Sequence, residues 1–181
     1  LHLSLRRQRQ MCIRDSYHDQ ALFKEPGGGL TPWHQDQVYW PLDTDKTITM
    51  WMPLVDVPTE VGSVVFVSGS HNFGDLGGAE IGDNSQAHFD DLIARRGFAA
   101  KSYAPMRAGD ATFHSGWTLH GAPANETNTM RRVMTIIYFA DDTRVGALDN
   151  PMRQNDAQQW LGSRTTGQLA DGPLNPLLWS A

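Results

Sequence analysis

From Tyr17 onward, apolar residues fall into short runs rich in β-branched and aromatic side chains, separated by glycine, proline and small polar residues. The runs cover 21–24, closed by Pro26 and Gly27, Gly28 and Gly29, then 47–55, 63–67, 111–114 and 132–139. Such runs favour strands, and 132–139 (RVMTIIYF), with the most β-branched residues, is the predicted central one. A different period interrupts them at 86–96, where Phe89, Leu92 and Ile93 recur at helical spacing and Gly97 offers a stop. This predicted helix lies in an insertion over 72–101. Short strands without regular strand–helix alternation point to an antiparallel sandwich or barrel, not to a nucleotide-binding α/β sheet.

Composition narrows the picture further. With 181 residues, 40% of them hydrophobic, the chain is long enough for one domain with a real core. A net charge of −5 gives no reason to expect nucleic acid or an anionic membrane surface as partner, and a small-molecule partner is expected instead. Cys12 is the only cysteine, so neither an intramolecular disulfide nor a cysteine-rich zinc site is available, and any metal must be held by histidine and carboxylate. No apolar run reaches bilayer length and the start lacks the apolar core of a secretion signal, which makes the cytoplasm the expected compartment. Residues 1–16 carry Arg6, Arg7, Arg9 and Arg14 against a single acid, Asp15. They resemble a translated sequencing-adaptor peptide and are expected to be a non-native or disordered leader, leaving 17–181 as the domain. The glycines at 27–29 lack the Gly-Lys-Ser/Thr continuation of a phosphate cradle and are expected to form a hairpin turn.

Candidate chemistry begins at 31–41, TPWHQDQVYWP. In an extended chain His34 and Asp36, two positions apart, point to the same side, with Trp33 and Gln35 on the other. The pair needs a third ligand. His71 lies in a turn and His88 on the predicted helix, expected to be solvated, so His114 and His120 are the two contenders. Arg131 follows His120 by eleven residues and opens the strongest strand; a planar guanidinium there suits two-point recognition of a carboxylate, as a 2-oxo dicarboxylate would require. His114 is expected in the core, Arg132 on the solvent side, and Asn125 and Thr127 in loop hydrogen bonding rather than glycosylation.

Taken in order, HQD at 34–36, the Trp51 strand, Gly62 before VVFV and SGSH, Gly109-Asp110, and His120 followed by Asn125, Thr127 and Arg131 resemble the phytanoyl-CoA dioxygenase family over about residues 19–142. The resemblance implies a mainly β chain folded as a double-stranded β-helix (jelly roll, cupin-like) with a helix-containing insertion. It implies iron(II) held by His34, Asp36 and His120, with 2-oxoglutarate and O2 as co-substrates. Arg131 would hold the distal carboxylate of 2-oxoglutarate, Trp51 would line its pocket, and Lys24 would assist. Tyr39, Trp40 and Trp117 are expected to wall the substrate side and the insertion to close over it. Related halogenating enzymes replace the carboxylate by a small residue, so Asp36 favours hydroxylation, with release of succinate and CO2. Two departures stand out. Family members usually carry a longer part ahead of the HxD strand, so the chain is expected to be partial, and the usual Pro-Gly-Ser-His turn is Ser68-Gly69-Ser70-His71 here. The alternative function is a cupin-like metal- or ligand-binding domain without catalysis.

Overall fold

The structure, a computed structural model, describes residues 13–77 and 81–178, with side chains from Ser16 onward. Its elements are β1 (Ile13–Lys24), β2 (Thr31–His34), β3 (Thr47–Pro53), β4 (Val65–Val67), α1 (Asp83–Arg96), β5 (Ala100–Ser102), β6 (Thr112–Ser115), β7 (His120–Ala122), β8 (Arg131–Ala140) and α2 (Pro151–Trp160). They build two four-stranded sheets, ordered β1-β8-β3-β6 and β2-β7-β4-β5. In the second sheet, β7 pairs antiparallel with both β2 and β4, which sets His34 opposite His120 and Phe66 beside it. Residues along β3 and β8 alternate between buried and more exposed, as strands with one covered face must.

Two compact units make up the chain. The second, Gln20–Val38 with Thr49–Thr135, contains both apolar clusters that organise the β-helix. One joins Leu22, Trp51 and Val133 of the first sheet to Phe66 of the second, with Val57, Val61, Val64 and Met106 between them. The other packs Phe89 and Leu92 of α1 onto Val67, Leu76 and Leu119. The fold is the expected jelly roll. The first unit, Leu1–Asp19 with Tyr39–Ile48 and Ile136–Ala181, has its own core of Tyr17, Trp40, Leu42, Ile137, Phe139, Val145 and Leu161.

Several sequence expectations change. Residues 13–16 belong to the same strand as 17–24, and residues 1–12 of the expected leader lie outside the described residues. The polar stretch DSYHDQ is held from outside: Asn175 Nδ2 donates to the carbonyls of Ser16 and Tyr17, and the Tyr17 hydroxyl donates to Asp156. A second helix, α2, was not expected. Only Ala157 of it is buried, so no apolar period betrays it; Pro151 at its start and the Asn150 side chain accepting from Arg153 N (2.9 Å) fix it instead. The predicted helix starts at Asp83 rather than 86 and stops at left-handed Gly97 as expected. No helix among the described residues is long and apolar enough to cross a membrane.

Candidate metal centre

β2 ends at His34, and Asp36 opens a turn of 3-10 helix over Asp36–Val38. The continuous strand expected across 31–41 is therefore absent, and parity does not explain why His34 and Asp36 meet. Gln35 does. Its buried amide donates to the carbonyls of Gly74 (2.9 Å) and Trp117 (2.7 Å) and accepts from Leu76 N (2.9 Å), so the chain is pinned as it turns. The turn swings Asp36 back toward the sheet, where Oδ1 lies 3.5 Å from His34 Nε2 and 3.6 Å from His120 Nε2.

Ligand atoms of His34, Asp36 and His120 all lie within 4.8 Å of one another. The two imidazoles are oriented in the same way. His34 Nδ1 is 2.8 Å from the Pro32 carbonyl and His120 Nδ1 is 2.9 Å from the Thr118 carbonyl, each two residues back along the chain. A carbonyl only accepts, so Nδ1 carries the proton and the Nε2 lone pair faces Asp36. Adjacent ligands held about 2.1 Å from one ion sit about 3 Å apart. The two carboxylate–imidazole separations, 3.5 and 3.6 Å, are a few tenths of an ångström wider than that, and the donors, two imidazoles and a carboxylate, suit iron(II). The residues fit the ion.

Electrostatics agree. Burial raises the Asp36 pKa, but the histidines around it, His120 foremost, outweigh burial and hold the carboxyl well below its ordinary value. Burial pushes the His120 pKa down against the pull of Asp36. For His34 burial also acts downward, yet the hydrogen bond and charge of Asp36 leave its pKa raised, so a metal there competes with a proton.

Arg131 opens β8 with its side chain inward, 5% exposed, while Arg132 is exposed, so the strand register is the expected one. Its guanidinium donates to the Gly62 carbonyl and lies 5.7 Å from the Trp51 ring, and its Nε has no hydrogen-bond partner. Lys24 is buried beside it, donating to the carbonyls of Gly29 (2.9 Å) and Pro123 (2.8 Å). Burial, then the charge of Arg131, lower the Lys24 pKa to about 8. Among the described residues neither cation forms an ion pair with a carboxylate, although buried charges ordinarily need one.

Trp40 is packed edge-on against Tyr17 in the core of the first unit, and half-buried Tyr39 packs on the same core. Trp117 is half-buried in the second unit, its carbonyl accepting from Gln35. Within the insertion, α1 is fastened to β2: Trp33 N donates to Gln86 Oε1 (3.0 Å) and Trp33 Nε1 to Asp90 Oδ1 (2.9 Å). His88 is half-buried, with Nε2 3.3 Å from the Leu76 carbonyl, rather than solvated. His114, expected in the core, lies with Nε2 3.5 Å from Asp36 Oδ2, and Thr49, which sequence reasoning missed, reaches the same oxygen at 3.5 Å. The signal for Thr49 was its parity with Trp51 on β3.

Facing sheets around a convergent two-histidine, one-carboxylate cluster define a metal-binding double-stranded β-helix. The phytanoyl-CoA dioxygenase (PhyH) family matches residues 2–133, and the chain belongs to that family. The match starts inside the segment expected to be a leader. Among curated relatives, the probable alpha-ketoglutarate-dependent hypophosphite dioxygenase of Stutzerimonas stutzeri is 28% identical over 132 residues, covering 70% of this chain and 45% of that protein. Phytanoyl-CoA dioxygenase domain-containing protein 1 of Danio rerio is 28% identical over 135 residues, covering 71% and 46%. The chain thus spans just under half the length of these relatives. The solved structure of SnoN, a non-heme alpha ketoglutarate dependent epimerase from nogalamycin biosynthesis, superposes with a TM-score of 0.75 at 26% identity, covering 93% of this chain and 63% of that one. SnoN in complex with Fe3+, alpha ketoglutarate and nogalamycin RO gives 0.75 at 27% identity, covering 92% and 65%. The carbocyclase SnoK gives 0.72 at 29% identity, covering 92% and 62%.

Proposed function

We propose that the chain is the catalytic β-helix of an iron(II)- and 2-oxoglutarate-dependent dioxygenase acting on a small organic molecule. The observation that carries this is the joint presence, in one compact unit, of the His34–Asp36–His120 cluster and two buried cations without a carboxylate partner among the described residues. The first suits a divalent metal and the second a dianionic co-substrate.

When bound, iron would supply the oxidation of 2-oxoglutarate by O2 to succinate and CO2, with the second oxygen atom going to a C–H bond of the substrate as hydroxyl. The chain supplies placement. His34 and His120 present Nε2 because the Pro32 and Thr118 carbonyls hold the proton on Nδ1. Arg131 and Lys24 would take the far carboxylate of 2-oxoglutarate, with the guanidinium held over the Trp51 ring. Buried apolar neighbours, Trp51, Val133 and Phe66 among them, keep water from weakening that ion pairing. Relatives whose names specify hypophosphite oxidation, epimerisation and carbocycle formation support the shared co-substrate chemistry and leave the substrate open. Half-buried Trp117 is the aromatic side chain of this unit that we assign to substrate contact.

Protein incubated in air with iron(II), ascorbate and 2-oxoglutarate is expected to release succinate slowly even without substrate, and Asp36→Ala is expected to reduce this to background. Equal release by both proteins, or none by either, would replace the enzyme reading with that of a non-catalytic metal- or ligand-binding domain.

A further inference from the structure

Two groups near the cluster have no part in the function proposed above. Asp36 turns Oδ1 toward His34 and His120, while its other oxygen, Oδ2, faces His114 Nε2 at 3.5 Å and Thr49 Oγ1 at 3.5 Å. These come from different strands, His114 from β6 and Thr49 from β3, and both are buried, at 6% and 4% exposure. The His114 ring is wedged between His120 (centroids 4.5 Å apart) and Phe66 (5.1 Å). Neither of its nitrogens has a partner within good hydrogen-bonding geometry. Buried imidazoles rarely go unpaired, and Asp36 Oδ2 is the acceptor that Nε2 faces. His114 also stands outside the three-residue set whose ligand atoms are all mutually within 4.8 Å.

Resting on the metal-site reading above, we propose that His114 and Thr49 are positioning residues that hold Asp36 Oδ2, so that the carboxylate offers an ion Oδ1 alone. Carboxylates bind metals through one oxygen or two. With Nε2–H and Oγ1–H both donated to Oδ2, the two-oxygen mode loses its second lone-pair donor, and one more position stays open for co-substrate and O2. The same contacts orient the carboxylate before any metal arrives, as outer partners of metal ligands generally do. Four hydrogen-bond donors thus divide the work: carbonyl-held His34 and His120 choose the nitrogen, and His114 with Thr49 choose the oxygen.

The test uses cobalt(II), whose visible absorption reports ligand number, titrated into the whole chain under nitrogen. Thr49→Val and His114→Phe, which keep volume near the original and remove the donor, are each expected to weaken cobalt binding about 10- to 100-fold. Their absorption should change in intensity as the carboxylate turns to two-oxygen binding. His114→Gln and Thr49→Ser, which keep a donor, should retain the wild-type spectrum and serve if a bulkier change fails to fold. X-ray absorption on the cobalt-loaded wild type should count two imidazoles. Wild-type affinity and spectrum in both donor-less variants would overturn the proposal, and so would three imidazoles, which would make His114 a ligand. A wild type that binds no cobalt at all would instead sink the metal-site reading, and this inference with it.

Discussion

At the scale of single residues, charge and proton placement decide what the site can hold. Arg131 is buried with its Nε lacking a hydrogen-bond partner, so its replacement should be felt by an anion more than by a metal. Arg131→Ala is expected to weaken 2-oxoglutarate binding by about 2–5 kcal/mol, or about 30-fold or more, with iron affinity nearly unchanged. Isothermal titration with each ligand separates the two, and Arg132→Ala, altering an exposed side chain, should change neither. Lys24 gives a pH signature. Its pKa of about 8 means that the cation is present below that pH and lost above it, so 2-oxoglutarate affinity should fall as pH rises past about 8. Lys24→Met should bind weakly across the same range without that pH dependence. His34, Asp36 and His120, whose ligand atoms converge, were legible in the sequence because each stands at a strand end or turn. His114 was a contender for the third ligand and Thr49 shares its parity with Trp51, but their contact with one oxygen of Asp36 is something no sequence spacing specifies.

Among elements, turns contribute as much as strands. Gly62 follows a short 3-10 turn with φ of 82°, and a Cβ there would meet the Pro123 carbonyl at 2.6 Å. Its own carbonyl accepts from Arg131. Gly62→Ala should therefore cost about 1–3 kcal/mol in stability, read from urea unfolding, and should weaken 2-oxoglutarate binding as well. The alternation of β3 and β8 was readable because strands repeat every two residues and half their side chains are covered. What the sequence obscured were elements held by partners rather than by their own pattern. The polar N-terminal half of β1 depends on Asn175 and Asp156, α2 buries little beyond Ala157, and the turn at Asp36 depends on Gln35 reaching Gly74, Leu76 and Trp117.

For the molecule as a whole, each compact unit carries its own buried ionisable groups. In the first unit the Tyr17 hydroxyl donates to Asp156, whose pKa burial lifts to about 6 although the hydrogen bond pulls it down. In the unfolded chain Asp156 titrates near the ordinary aspartate value of 3.8. Between these values folding takes up a proton, so this group's contribution to stability falls as pH rises from about 4 to about 6 and then levels. Asp156→Asn should flatten that part of the melting-temperature profile relative to wild type. In the second unit the metal cluster carries the central claim. Equilibrium dialysis of the chain against iron(II) under nitrogen, with and without 2-oxoglutarate, measures it most directly. One iron per chain is predicted, retained more tightly with 2-oxoglutarate and lost in Asp36→Ala and His120→Ala; iron held equally well by those variants, or not held by the wild type, would contradict the account.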